Sequence, residues 1–314
     1  MKNIEIKDPN PQLLKLFSYK EWRQRVRLYD DIFSPGTRGE YEWDLCNLPS
    51  SLKGKSFIDV GANDGMFSFL AEEKGAGSVK SVDLYVDENE TNMNMMGGWP
   101  ISRIKEIKKI KNSSIDVESC SIYDLQKLGQ KYDVVFCGNV IAWLQNPLGA
   151  LDQLCAITKE KLIIREDISP VKGKPVLEYV NNKDFTACSF NGNEEFYRSY
   201  LQARGFKKVE IVPVDEYKIF ERRSADFKKY EIAKGVKVFS NPFSENDFVY
   251  SEKLQATGAA LINGKYFLDK TGWVNQEDAK LLPDMVPVNP IKRKIFESRM
   301  RRNALNNCMI FAEK

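Results

Sequence analysis

The sequence predicts an α/β fold, built on a mostly parallel, seven-stranded sheet with helices on both faces. An N-terminal helical segment and a long α+β insertion before the last strand complete the prediction. Six short apolar runs alternate with helical stretches between residues 51 and 214, which is the pattern of a sheet covered on both faces. A seventh apolar run, "NCMIFAEK", lies at the end of the sequence. An isolated strand must pair somewhere, and this sheet offers the natural place.

The elements of the first half follow from short stretches of sequence. "KSFIDVG" predicts the first strand, "MFSFLAEEKGA" a helix and "SVKSVDL" the second strand. "ISRIKEIKKIKN" has the apolar spacing of an amphipathic helix, and "IDVESCSIYDL" predicts the third strand.

The second half repeats the alternation. "YDVVFCGN" is nearly all apolar, as expected for a strand in the sheet centre. "NPLGALDQLCAIT" predicts a helix with Asn146 as its N-cap and Pro147 in its first position. "EKLIIRED", "NEEFYRSYLQARGF" and "KKVEIVPV" then predict the fifth strand, a helix and the sixth strand.

Three regions organise the chain. Residues 1–50 contain "NPQLLKLF" and "SYKEWRQRVRLYDDIF", whose apolar spacing predicts a helical cover. Residues 51–214 with 307–314 form the domain of the sheet. Residues 215–306 form an insertion, in which "AALINGKYFLD" predicts a hairpin turning at Asn263-Gly264. The insertion could be a substrate lid or a dimerisation element, so a homodimer is possible.

Composition excludes several classes of protein. The chain has six cysteines without a C-x-x-C pair, and it has no histidine. Mechanisms that need Ser-His, Cys-His or a histidine-bound metal within one chain are therefore excluded. A net charge of +3 is too small to indicate a nucleic-acid partner. Without a signal-peptide core or an apolar run long enough for a membrane span, we expect a soluble, cytoplasmic protein.

The stretch "FIDVGANDG" (residues 57–65) joins the first strand to a glycine turn. In an open parallel sheet, ligands bind outside the carboxyl ends of the strands. Gly61 and Gly65 let the backbone approach a ligand where a side chain would collide. Asp83 ends the second strand about 20 residues after the turn, where an acid hydrogen-bonds ribose hydroxyls in dinucleotide folds.

The same turn disfavours phosphate. Asn63 stands at the second glycine of a G-x-G-x-x-G pattern, and no G-K-[ST] follows. Asp59 and Asp64 flank the turn and add negative charge where a pyrophosphate would sit. These carboxylates favour a cationic ligand instead.

The order of these motifs identifies a family resemblance. "FIDVGANDGMFS", followed by "SVDL", "SIYDL" and "YDVVFCGN", resembles a class I S-adenosylmethionine (SAM) methyltransferase. "YEWDLCNLPSSLKGKSFIDVG" and "YDVVFCGNVIAWLQNPLGAL" are similar to the group that includes the bacterial tRNA wobble-uridine carboxymethyl-transfer enzyme. The likeness covers about residues 40–214 and the final strand. It implies the Rossmann-like methyltransferase fold, with SAM as cofactor, S-adenosylhomocysteine (SAH) as product and no metal.

The resemblance also implies which residues contact the cofactor. They are Asp59, Gly61 and Gly65 around the methionine moiety, Asn63 at its amino-acid end, Asp83 at the ribose hydroxyls, Leu84, Ser121 and Ile122 at the adenine, and Asn139 beneath the sulfonium. The sequence departs from the group at Ala142-Trp143, where many relatives carry Tyr-His. Since that tyrosine helps the wobble-uridine enzyme bind the carboxylate of its carboxylated SAM, we expect ordinary SAM and methyl transfer here.

Methyl transfer requires alignment of the acceptor and, where necessary, removal of its proton. Without histidine, the candidate bases are Glu166 and Asp167 at the end of the fifth strand, beside Asn139. Either acid could instead be a solvated strand end or, for Asp167, the cap of a turn. Trp143 could stack on a substrate or pack against its helix. Arg165 could clamp an acidic substrate or pair with a neighbouring acid.

The acceptor expected from the sequence is a small molecule or a glycan, by analogy of fold. tRNA is the alternative, because basic residues cluster in "KEIKKIK" and "IKRKIFESRMRRN" and such segments can track phosphates. These segments are more often the solvated faces of amphipathic helices. A SAM-binding module without catalysis is the third hypothesis.

Overall fold

The computed structural model describes Leu16 and residues 23–29, 32–34, 38–86, 99–179, 190–214, 260–262, 265–267 and 307–314. The strands, in chain order, are β1 Arg27–Tyr29, β2 Ile32–Phe33, β3 Ser56–Val60, β4 Ser78–Asp83, β5 Tyr85–Val86, β6 Trp99–Pro100, β7 Asp116–Ser119, β8 Tyr132–Gly138, β9 Thr158–Asp167, β10 Leu177–Tyr179, β11 Phe190–Gly192, β12 Lys208–Pro213, β13 Ala260–Ile262, β14 Lys265–Phe267 and β15 Asn307–Glu313. The α-helices are α1 Tyr41–Leu45, α2 Met66–Glu73, α3 Ile101–Lys111, α4 Pro147–Ile157 and α5 Glu194–Gln202, with 3₁₀ helices at Ile122–Leu128 and Ile141–Trp143.

The central sheet has seven strands in the order β12-β15-β9-β8-β3-β4-β7. Five neighbouring strands, from β9 to β7, run parallel. The last strand, β15, lies antiparallel between β12 and β9. The prediction of a mostly parallel, seven-stranded sheet that takes the final strand of the sequence is confirmed.

Alternation along the strands sends successive side chains to opposite faces. Phe57 and Ile163 pack on the face covered by α1, α2 and α3, where Trp43 is buried. Ile58 and Ile164 pack on the other face, against α4 and α5. The chain therefore buries two apolar layers, one on each side of the sheet, as predicted.

The N-cap and the first residue predicted for α4 are both confirmed. Asn146 caps it by accepting a hydrogen bond from Gly149 N at 3.0 Å, and Pro147 takes the first helical position. The third strand is shorter than predicted, because it ends at Ser119. Ser121 Oγ accepts from Tyr123 N at 3.3 Å and begins a 3₁₀ helix there, a local side-chain bond that competes with the sheet.

The helical prediction for residues 1–50 is wrong at residues 27–29 and 32–33. "RLY" and "IF" form the antiparallel strands β1 and β2 there, while α1 is a short helix. The predicted hairpin is present as β13 and β14, with Ile262 opposite Lys265, and its turn lies outside the described residues. Leu261 pairs with Phe33, so the hairpin extends the N-terminal strands into a second, four-stranded sheet. The other expectations for residues 215–306 lie outside the described residues.

No helix in the described part of the chain has the length and apolar character needed to cross a bilayer.

Candidate cofactor site at the carboxyl edge of the sheet

The switch in strand order lies between β3 and β8, where the chain leaves the sheet in two neighbouring turns. Gly61 follows β3 with φ +77°, and a Cβ built on it would stand 2.3 Å from Val140 Cγ2 in the turn after β8. Only glycine satisfies both the left-handed backbone and this close approach. The two turns therefore meet at the point where an open α/β sheet binds its ligand.

Two further residues of the glycine turn are also left-handed. Gly65 has φ +85° and precedes α2, and Asn63 has φ +55°. Asparagine tolerates this region better than other residues with a side chain, so Asn63 replaces a glycine without breaking the turn. Asn63 N donates to Asp83 Oδ2 at 2.8 Å. Its Oδ1 is buried and accepts no hydrogen bond from the described residues, which leaves an acceptor for a ligand's amino group.

Two acids line this turn at the ends of neighbouring strands. Asp59 is 1% exposed, and burial raises its pKa to about 7, against the opposing effect of the Ser68 hydroxyl, which donates to Asp59 Oδ2 at 2.8 Å. Asp83 keeps part of its surface accessible. Desolvation raises its pKa to about 6, opposed by the N–H groups of Asn63 and Leu84. Asp83 lies where the resemblance expects an acid for two ribose hydroxyls.

The predicted adenine end lies beside Asp83. Leu84 is 46% exposed, an apolar surface available to a planar ring. Ile122 is buried, and Ser121 binds the backbone of its own 3₁₀ helix. Cys120 N donates to Asp83 O at 2.9 Å, which holds this helix against the end of β4.

The expectation that Asp64 directs its negative charge at a ligand is wrong, because other residues of the chain bind its carboxylate. Asp64 Oδ1 accepts from Arg103 of α3 at 3.0 Å, and both side chains are 1% exposed. Asp64 Oδ2 accepts the backbone N–H groups of Arg23 and Gln24 at 2.8 and 2.9 Å. The Asp64 carboxylate thus attaches residues 23 and 24, here called the N-terminal segment, to the glycine turn.

Gln24 makes the second attachment of that segment. Its Oε1 accepts from Met66 N at 2.9 Å, so it satisfies a free N–H in the first turn of α2, where Gly65 has no side chain to do so. Sequence reasoning missed Gln24 and Arg103. Their partners lie about 40 residues away in the chain, and no local pattern marks them.

The two candidate bases at the end of the fifth strand, β9, face opposite sides of the sheet. Glu166 is 2% exposed, and its Oε1 accepts from Val140 N at 2.7 Å and Ile141 N at 2.6 Å. Burial raises the Glu166 pKa to about 8, although these N–H groups oppose the shift. Through these two hydrogen bonds, Glu166 stabilises the backbone of the turn after β8. Asp167 is exposed on the other face, where an acceptor could reach it.

Asn139 lies beside Asp167 at this edge. Asn139 has φ +55°, and its N–H donates to Arg165 O at 2.7 Å. The Arg165 side chain is buried and donates to Glu42 Oε2 at 2.7 Å. Of the two alternatives for Arg165, the structure shows the pairing with an acid. Trp143 is half-buried at the end of its 3₁₀ helix.

The residues at the carboxyl edge fit SAM. The glycine turn gives the backbone close approach, Asn63 Oδ1 offers an acceptor, Asp83 offers a carboxylate, and Leu84 offers an apolar surface. The described residues contain no group of three or more potential metal ligands among Cys, Asp and Glu.

Curated relatives with weak similarity are known in bacteria. A protein of Campylobacter jejuni named tRNA U34 carboxymethyltransferase is 21% identical over 218 residues, which cover 66% of this chain and 69% of the relative. A Helicobacter pylori protein of the same name is 24% identical over 229 residues, covering 70% of this chain and 82% of the relative.

Solved structures that align with this chain include a Haemonchus contortus phosphoethanolamine N-methyltransferase in complex with phosphomonomethylethanolamine and SAH. It has a TM-score of 0.46 and 12% identity, and the alignment covers 85% of this chain and 50% of the other chain. A SAM-dependent methyltransferase of Mesorhizobium loti has a TM-score of 0.41 and 15% identity, over 60% of this chain and 92% of the other.

A family model described as a methyltransferase domain matches residues 45–211, which is more than half of the chain. The match runs from the end of α1 to β12 and includes the glycine turn, Asp83, Asn139 and both strand-end acids. The chain therefore belongs to this methyltransferase family, and it is a SAM-dependent methyltransferase of the kind that its strand-end motifs predict.

Proposed function

We propose that this chain transfers a methyl group from SAM to a neutral hydroxyl or N–H group of a small-molecule or glycan acceptor. One observation carries the proposal. Asp167 is exposed at the carboxyl end of β9, on the face opposite to Glu166 and next to the turn that begins at Asn139. A carboxylate in this place suits an acceptor that must lose a proton, and it disfavours an anionic acceptor.

The cofactor, when bound, supplies a methyl group on a cationic sulfur, and the acceptor takes it by in-line displacement. The protein then has to hold the cofactor, orient the acceptor and take up a proton. We assign the first role to Asp59, Asn63 and Asp83, together with the glycine turn. Asp167 takes the proton, and Asn139 orients the acceptor. Glu166 has the supporting role of fixing the turn after β8.

Ion pairing of the α3 lysines supports a small acceptor over RNA. Lys111 donates to Glu73 at 2.9 Å and to Arg27 O at 2.7 Å, and Lys109 pairs with Glu106 at 3.0 Å. These contacts use part of the positive charge that the sequence places on α3. The second basic segment, at 291–303, lies outside the described residues.

tRNA stays the alternative acceptor, favoured by the names of the relatives from Campylobacter and Helicobacter. Ala142, in the 3₁₀ helix between Ile141 and Trp143, supports methyl rather than carboxymethyl transfer, because its methyl side chain cannot hydrogen-bond a carboxylate. The proposed location is the cytoplasm. The five described cysteines are free thiols, which suits a reducing compartment.

Transfer of label from [methyl-³H]SAM tests the proposal. Purified protein is incubated with bacterial bulk tRNA in one series and with a tRNA-depleted small-molecule and glycan extract in another. The proposal expects label in the extract series, reduced at least about tenfold in Asp167→Asn, which corresponds to about 1.4 kcal/mol in barrier height. Label in tRNA alone would establish the alternative acceptor. If wild-type protein binds SAH but labels neither pool, the proposed acceptor class is wrong and the non-catalytic hypothesis takes its place.

A further inference from the structure

Asn307 is the first residue of β15, and it stands opposite Asp167 in the β15–β9 register. The two side chains therefore lie on the same face of the sheet, and Asn307 is 6% exposed. Arg165 lies two residues before Asp167 on the same face of β9. Three polar side chains from two antiparallel strands thus meet at the edge where β9 ends.

The Asn307 amide can adopt only one orientation in this setting. Arg165 Nε donates to Asn307 Oδ1 at 3.0 Å, and an arginine side chain has no acceptor atom. The oxygen of the Asn307 amide must therefore face Arg165. The Arg165 guanidinium is held in turn by Glu42, which is 0% exposed and also accepts from Arg38 at 2.8 Å.

The amide nitrogen of Asn307 consequently faces the site. Asn307 Nδ2 donates to Asp167 Oδ1 at 3.0 Å and to Asn139 Oδ1 at 3.3 Å. A single NH₂ group contacts two of the candidate residues, one from the end of β9 and one from the turn after β8. The network runs from the buried Glu42 to the open edge of the sheet.

The contact with Asn307 also determines what Asn139 presents. Because Asn139 Oδ1 accepts a hydrogen bond from Asn307, the NH₂ group of Asn139 points away from Asn307. The backbone of Asn139 is fixed by its hydrogen bond to Arg165 O at 2.7 Å. At this edge, Asn139 therefore offers an NH₂ group as donor beside the carboxylate of Asp167.

We propose that Asn307 is a positioning residue, which sets the Asn139 amide and the Asp167 carboxylate so that together they recognise a group with both a lone pair and a proton. A hydroxyl or an N–H group meets this description, whereas a carboxylate or phosphate acceptor does not. This inference rests on the proposed function, because the recognised group is the methyl acceptor of that site.

Nuclear magnetic resonance of the side-chain amides tests the orientation directly. The full chain is labelled with [¹⁵N]asparagine, and the Asn139 NH₂ pair is assigned by its loss in Asn139→Asp. The variants are Asn307→Asp, which keeps the size and the bond from Arg165, and Asn307→Ala, which removes every contact. Asn193 is the control, since its buried NH₂ group donates to Val171 O and Lys174 O, away from this network.

In Asn307→Asp the new carboxylate, when it is ionised, can only accept, so the Asn139 amide must rotate to donate to it. We expect the Asn139 NH₂ signals to shift in both variants without any ligand, while those of Asn193 stay in place. SAH should shift the Asn139 signals of the wild type and shift those of Asn307→Asp at most half as far. SAH affinity should change less than about twofold, because Asn307 does not touch the glycine turn.

Asn139 signals that are the same in the wild type and Asn307→Asp overturn the proposal, whether or not SAH is present. That outcome is separate from a failure of the proposed function. A wild type that binds no SAH contradicts the cofactor site, yet the spectra of the free proteins still decide how Asn307 orients Asn139. If Asn307→Ala does not fold, the isosteric Asn307→Asp variant carries the test alone.

Discussion

Replacing Asp64 with asparagine should destabilise the protein strongly, although Asp64 lies in the glycine turn and resembles a ligand-binding acid. Asp64 and Arg103 are each 1% exposed and 3.0 Å apart. Asp64→Asn removes the carboxylate charge that lies 3.0 Å from the buried Arg103 guanidinium. The new NH₂ group also competes with the oxygen that now accepts the backbone N–H groups of Arg23 and Gln24.

The expected magnitude follows from the burial of the pair. Breaking a buried ion pair by removing one partner costs about 3–5 kcal/mol. For a domain of this size, about 2–4 °C of melting temperature accompanies each kcal/mol, so we expect a loss of roughly 6–20 °C. The control is Asp152→Asn, because Asp152 pairs with Arg204 at the surface, where the side chains are 53% and 31% exposed. Loss of that partly exposed pair should cost no more than about 1 kcal/mol.

Urea denaturation followed by circular dichroism, with a thermal melt in parallel, measures both variants. A second readout is limited proteolysis near Arg23, since the variant weakens the hydrogen bonds that Asp64 accepts from Arg23 N and Gln24 N. If Asp64→Asn is as stable as Asp152→Asn and its N-terminal segment is cleaved no faster, the buried pair does not hold this part of the fold together. The interpretation of Asp64 as a structural anchor would then be wrong.

Two further predictions concern the turns at the edge of the sheet. Gly61→Ala should destabilise the protein and abolish SAH binding, because its Cβ would lie 2.3 Å from Val140 Cγ2. Gly129 has a similar left-handed backbone, but nothing lies within 4 Å of a Cβ built on it. Gly129→Ala should therefore cost only about 1–2 kcal/mol of stability and leave SAH affinity unchanged. Equal effects of the two substitutions in calorimetry and in urea denaturation would show that the close approach of Gly61 to Val140 does not matter. The pKa of Glu166 is raised from 4.5 to about 8 in the folded state. Between pH 4.5 and pH 8 the folded state therefore binds more protons than the unfolded state. The contribution of Glu166 to the free energy of unfolding consequently falls as the pH rises through this range. Glu166→Gln should therefore lose less unfolding free energy than the wild type between pH 6 and pH 8.5 in urea titrations, and the same loss in both proteins would contradict the assignment.

The sheet could be predicted because its signals are local. Strand β8 is a continuous apolar run, and α4 begins with Asn146 and Pro147. The glycine turn can be identified from the nine residues 57–65 alone. The final strand was placed correctly because an apolar run at the end of the sequence needs a partner. These elements need no knowledge of distant residues.

The parts of the site that the sequence did not predict depend on contacts between distant residues. Asn307 lies 142 residues from Arg165 in the chain, and nothing in the sequence around either residue indicates their hydrogen bond. Glu166 and Asp167 looked equivalent as neighbouring acids. The strand alternation buries one and exposes the other, and that assignment requires knowing which face each side chain takes. The helical spacing at residues 27–29 and 32–33 was overridden by pairing between strands.

Calorimetric titration with SAH tests the central claim, that the carboxyl edge from Gly61 to Asp83 holds the cofactor. We expect the wild type to bind one SAH per chain, and Asp83→Asn to weaken binding at least about tenfold, or by about 1.4 kcal/mol. Asp116→Asn, at the opposite end of the neighbouring strand and 67% exposed, should bind like the wild type. Absence of SAH binding to the wild type, or equal affinities for all three proteins, would contradict the assignment of this edge as the cofactor site.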